Sequence, residues 1–141
     1  MSWLIFAILA ATSFGFYNFF IKISADKLSP TIALMLIAGT AFVVAMISTI
    51  FLKLTGQNLI FSKNVIYYPI LAGLFTGVAE IFYLSMYSKN APVSVGTPIV
   101  VGGTILVAVV LGIFLLKEPL NIEKVSGVIL LLIGLVVLSR G

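Results

Sequence analysis

Residues 93–116 read VSVGTPIVVGGTILVAVVLGIFLL, and Lys117 follows. The stretch holds no charged side chain. A helix needs about 20 mainly apolar residues to cross the hydrocarbon of a bilayer, and this one has enough. Outward from it the same pattern recurs. Residues 65–88 are closed by Lys89, 31–52 by Lys53, 3–21 by Lys22, and 125–139 by Arg140. The last run is short. It gains length from Ile122 and from the apolar stems of Lys124 and Arg140, which can reach along it to the interface. The pattern predicts an all-α polytopic membrane protein, a single transmembrane domain over 1–141. Its five helices fall at about 3–21, 31–52, 65–88, 93–116 and 122–139.

Composition agrees. Of 141 residues, 62% are hydrophobic and 9% charged, against about a quarter charged in soluble domains, so this chain cannot clothe a globule in polar groups. Histidine and cysteine are absent, which removes disulfides, thiolate chemistry, the usual zinc sites and any His-based triad. No nucleophile–base pair, phosphate-cradling glycine loop or metal cluster occurs, so neither an enzyme nor a cofactor is expected. The net charge of +4 does not point to nucleic acid, because the basic residues sit singly at the ends of apolar runs, as headgroup anchors do. The start, Met1-Ser2-Trp3-Leu4-Ile5-Phe6, lacks a basic leader segment and its apolar run continues to Ile21, so it reads as a retained first span.

The links are short and carry turn chemistry: Asp26-Lys27-Leu28-Ser29-Pro30, Thr55-Gly56-Gln57-Asn58 and on to Asn64, Lys89-Asn90-Ala91-Pro92, and Lys117-Glu118-Pro119-Leu120-Asn121. None could hold a folded soluble domain. Asn121 suits the N-cap of span five, with Glu123 in its first turn. Let side A be the N-terminal side. Lys53, Lys63, Lys117 and Lys124 then lie on side A, and Lys22, Lys27, Lys89 and Arg140 on side B, four against four. Orientation follows the imbalance of Lys and Arg between short loops, and here there is none. Two readings stand: one orientation set by other effects, or both orientations with an antiparallel pair.

Glu80 is the residue least at home in lipid. It lies about eight residues, or ~12 Å, from the side-B end of span three. A charge there costs on the order of a few kcal/mol or more, so the side chain must face protein or a wet cavity. Thr76, Tyr83 and Tyr87 share its helix face, and Gly73 and Gly77 form a small-xxx-small pair that admits a close neighbouring helix. A carboxylic acid withdrawn from water can exchange a proton near neutral pH. Beside tyrosine rings it can also hold an organic cation. The competing reading is a protonated Glu hydrogen-bonded to a neighbouring helix.

Span four carries Thr97-Pro98. Proline has no amide to give the carbonyl of Ser94 and usually kinks a helix, and such carbonyls can line a transport site. A plain packing kink is the alternative. Thr97 and Thr104 share a face. In span one, Ser13 lies near the depth of Glu80, with Tyr17 and Asn18 nearer side B. Interhelical hydrogen bonding is the default for these polar groups. Trp3 and Tyr67-Tyr68, at the side-A ends of their spans, read as an aromatic belt.

The stretch Ala11-Thr12-Ser13-Phe14-Gly15-Phe16-Tyr17-Asn18-Phe19-Phe20-Ile21-Lys22 with Leu28-Ser29-Pro30, then Ala91-Pro92-Val93-Ser94, then Lys117-Glu118-Pro119-Leu120-Asn121, with Gly127 and Gly134 in the last span, resembles the EamA-type branch of the drug/metabolite transporter superfamily in its half-size, five-helix form. The resemblance covers essentially the whole chain. It implies half of an inverted-repeat transporter fold, resident in the cytoplasmic (inner) membrane of a prokaryote. It also implies a secondary transporter, often an exporter, of small organic metabolites or drug-like solutes. Full-length relatives are similar to two five-helix halves. A half-size chain would need an antiparallel partner, itself or a second half-size chain. Glu118 matches the family's acidic loop position, where a structural role is expected. Glu80 departs from the pattern, since the family has no general intramembrane acid in span three, and the four-helix multidrug relatives carry theirs in the first helix, where this chain has none. Proton coupling through Glu80 therefore rests on its burial cost. An uncoupled facilitator or lipid-linked-metabolite flippase is the nearest alternative, and a non-transporting scaffold or regulatory subunit is the alternative of another class.

Overall fold

The computed structural model describes residues 3–119 and 121–140. The readings that involve Met1, Ser2 and Leu120 lie outside the described residues. Five α-helices follow one another: α1 (Trp3–Ser24), α2 (Pro30–Leu54), α3 (Tyr67–Ser88), α4 (Val93–Phe114) and α5 (Ile122–Arg140), with a 3-10 turn at Lys63–Val65 before α3. No strand occurs among the described residues. All five helices are long and apolar enough to cross a membrane, and the chain is an integral multi-pass membrane protein.

Turn chemistry sets the helix ends. Pro30 opens α2 behind an extended Ser29, using the fixed φ that suits proline at a first helical position. At the other end Gly56 takes φ 76°, its amide bonds to the carbonyl of Lys53 (3.2 Å), and the amide of Gln57 bonds to that of Leu52 (3.1 Å). That pair of bonds is a Schellman ending, which needs a residue that tolerates the left-handed region. Asn90, just after α3, also takes the left-handed region, with φ 64°. α5 starts as its sequence suggests: Oδ1 of Asn121 accepts the amide of Lys124 at 2.9 Å, closing one of the orphan donors of the first turn.

Several boundaries differ from the apolar runs; α2 spans Pro30–Leu54 rather than 31–52, and three further shifts have a local cause. α1 continues past Lys22 to Ser24, because lysine is a good helix former and marks the interface without ending the hydrogen-bond ladder. α3 begins at Tyr67 rather than 65, behind the 3-10 turn, with Pro69 in its first turn, where no intrahelical amide is required. α4 stops at Phe114, not 116. Leu115 and Leu116 both turn their amides back to the carbonyl of Leu111 (2.8 and 3.3 Å), and Lys117 follows with φ 54°. Apolar side chains report lipid, not helix, so Leu115 and Leu116 extend the apolar run and not the helix.

The described residues fall into two compact units, divided between Phe19 and Phe20 and again between Lys89 and Asn90. In the unit of 20–89, α2 packs on α3. In the other, α4 packs on α5, and Leu135 of α5 lies against Gly102 of α4. A Cβ there would stand 2.8 Å from Cδ2 and 2.9 Å from Cγ of Leu135, so the absent side chain is what seats Leu135. α4 runs as one helix through Pro98.

Candidate functional site

The unit of 20–89 brings Thr76, Glu80, Tyr83 and Tyr87 onto one helix, α3. Glu80 is half-buried. Tyr83 and Tyr87 lie one turn apart, with their hydroxyls 3.1 Å from each other and their rings edge-on at 5.0 Å. Side chains on a helix lean toward its N-terminus, so both rings point back along α3 toward the turn that bears Glu80. Tyr87 is fully buried, and Leu84 beside it is 2% exposed. Thr76 donates its hydroxyl to the carbonyl of Ala72 on its own helix (2.8 Å), so in this conformation it offers lone pairs rather than a proton.

One contributor was not among the residues singled out by sequence. The Lys22 ammonium donates to the carbonyl of Tyr87 at 3.4 Å and lies 5.9 Å from the centroid of its ring. Read alone, Lys22 is a headgroup anchor at the end of a span. Its position in the last turn of α1 carries no sign of a partner 65 positions along the chain.

The unit of 3–19 with 90–140 holds the other candidates. The Ser13 hydroxyl donates to the carbonyl of Leu9 and that of Thr104 to the carbonyl of Val100, both at 2.9 Å and both exposed. Back-bonding of this kind replaces the interhelical bond expected for Ser13. Tyr17, Asn18, Thr97 and Pro98 are half-buried. The ring of Tyr17 meets that of Phe14 edge-on at 6.2 Å.

A groove of about 330 Å³ opens between α4 and α5, lined by Ile105, Val109, Gly127 and Leu131 and closed at one end by Glu118, Glu123 and Lys124. None of the sequence candidates lines it. Glu118 serves the hairpin: its amide bonds to the carbonyl of Gly112 (3.0 Å), its carboxylate lies over that glycine, and Lys124 pairs with it at 3.4 Å while also bonding to the carbonyl of Pro119 (3.2 Å). Both side chains are about half exposed, at 46% and 53%, so the pair is screened by water. Glu118→Gln should therefore lower stability by less than about 1 kcal/mol, as read by thermal unfolding in detergent. A larger loss would make the pair a main support of the α4–α5 turn.

Compared with known proteins, the chain matches the model of the EamA-like transporter family over residues 1–140. An uncharacterized protein of Methanocaldococcus jannaschii is similar to it, 27% identical over 138 residues that cover 96% of this chain and 95% of that protein. No solved structure matches it.

Proposed function

Because the chain belongs to the EamA-like transporter family, we propose that it is a secondary transporter that exports small organic solutes across the cytoplasmic membrane of a prokaryote, exchanging them for protons at Glu80. The observation that carries the coupling is Glu80 itself: the one acid inside an apolar run, half-buried on α3 one turn from a hydrogen-bonded tyrosine pair. An acid inside a membrane span is costly, and proton relay is one of the tasks that such carboxyls perform. The tyrosine rings favour a cationic solute, which would compete with the proton for the same carboxylate.

The working unit is an antiparallel pair, of two copies or of this chain with a second half-size chain. The even division of Lys and Arg between the two sides supports it. So do Gly73, Gly77, Gly127 and Gly134: at each of them no group of its own unit lies within 4 Å of where a Cβ would stand, leaving these small-residue faces open to another helix.

Transport by the purified chain alone separates this reading from a scaffold. Proteoliposomes loaded with a pH-sensitive dye and challenged with tetraphenylphosphonium or ethidium should show a change of internal pH that protein-free vesicles lack. Cation entry without any proton movement would favour the uncoupled facilitator. No entry of either cation, or of a neutral and an anionic probe tested beside them, would favour the scaffold.

A further inference from the structure

The buried apolar side chains of the described residues are Ile21, Ala25, Ala33, Leu84 and Tyr87. All five belong to the unit of 20–89, and all lie at its loop-one end: the last turn of α1, the link after it, the first turn of α2 and the last two turns of α3. Toward the other end of that unit α2 and α3 carry no buried side chain, and Gly73 and Gly77 face open space. Packing therefore seals one end of the unit, the end toward which α3 continues from Glu80, and leaves the other loose.

Tyr87 is the centre of that seal, and Lys22 is the polar group that holds it. An ammonium at the end of a membrane span would ordinarily extend to water. This one turns inward, donating to the carbonyl of Tyr87 while facing its ring. A cation is favoured there because the C-terminal carbonyls of α3 form the negative end of the helix. Of the other charged groups of the unit, Lys53 and Lys63 lie at the opposite helix ends, Asp26 and Lys27 are exposed in the link, and Glu80 lies two turns back along α3. Lys89 follows α3 at the same end, but it is exposed and meets the helix through its backbone amide, which bonds to the carbonyl of Met86 (3.2 Å). The bond between the Tyr87 and Tyr83 hydroxyls then carries the seal to within one turn of Glu80.

We propose that Lys22 is a positioning residue: its ammonium latches the end of α1 to Tyr87 and closes the loop-one end of the Glu80 site, and release of that contact is the step that opens it. The role in transport rests on the function proposed above. The latch itself is tested without it.

The chain has no cysteine, so one introduced thiol reports without background. Ala33→Cys places it in the seal, where Ala33 is 6% exposed, and Val128→Cys places a control in α5. The readout is alkylation by a membrane-impermeant maleimide in lipid nanodiscs. Adding Lys22→Met, which keeps the apolar stem, should speed labelling at position 33 by about tenfold, as expected for loss of one charge-assisted hydrogen bond from a closing equilibrium. The rate at position 128 should not change. Lys22→Arg, which keeps the cation, should label like the parent. The same pattern is expected in a Glu80→Gln background, so failure of proton coupling and failure of the latch give different results. An unchanged rate at 33 in Lys22→Met, a rise at both positions, or a Lys22→Arg variant as fast as Lys22→Met would each overturn the proposal.

Discussion

Replacing Glu80 by glutamine should abolish accumulation driven by a pH gradient while leaving downhill movement of the solute in place. The two side chains have the same shape, but the amide cannot take up or release a proton, so the substitution removes the exchange and little of the packing. A gradient of one pH unit is worth about 1.36 kcal/mol per proton, enough for about tenfold accumulation in one-for-one exchange. In proteoliposomes the parent should approach that ratio with a transported cation, and Glu80→Gln should settle at a ratio of about one. Glu80→Asp, one methylene shorter, should retain coupling at a lower rate. Full gradient-driven uptake by Glu80→Gln would remove Glu80 from the coupling role. Loss of downhill movement as well would make it a group that builds the site rather than one that drives it.

The second large effect concerns the α4–α5 pair. Gly102→Val should destabilise the protein by about 2 kcal/mol, within the usual range for forcing extra atoms into a packed contact. The reason is local: a Cβ at 102 meets Leu135 at 2.8–2.9 Å, and a β-branched side chain adds two more carbons on a stiff χ1. Leu135 is a flexible side chain, so Gly102→Ala should be milder. Truncating the neighbour makes room, and the pair Gly102→Val with Leu135→Ala should lose less than the sum of the two single changes. A double-mutant cycle on thermal unfolding in detergent measures that difference. Additive losses would mean that the two residues do not share one contact. By contrast Gly103→Val, at a glycine with nothing within 4 Å of its Cβ position, should be tolerated far better.

How far the residues announce this structure differs from place to place. Apolar length locates the five helices, because lipid leaves the backbone few alternatives. Turn residues locate many of the ends: Pro30, Gly56, Asn90 and Asn121 each do what their backbone or side-chain chemistry favours. The end of α4 was not legible, since Leu115 and Leu116 are as apolar as the helix they leave and only the hydrogen bonds back to Leu111 reveal the change. Gly102 and Gly103 look alike in sequence, yet Gly102 alone receives a neighbouring side chain, a matter of which face of α4 meets α5. The face that joins Glu80 to Tyr83 and Tyr87 could be read from helical spacing. Lys22 could not be added to it, because its contact closes a loop of 65 residues and its local surroundings fit a headgroup anchor equally well. Ser13, Thr76 and Thr104 illustrate the opposite limit: a hydroxyl in an apolar helix suggests a partner across a gap, and here each bonds to its own helix.

At the centre of this account is a transport path built by two oppositely inserted half-size chains around Glu80. Orientation tests it most directly. With alkaline phosphatase, active outside the cytoplasm, and green fluorescent protein, fluorescent within it, fused in turn to the C-terminus, both reporters should be active at comparable levels. Gln57→Lys, which adds one cation to the side-A count, should shift the balance toward one orientation. A chain that activates one reporter and not the other, before and after Gln57→Lys, would contradict the antiparallel pair of identical copies.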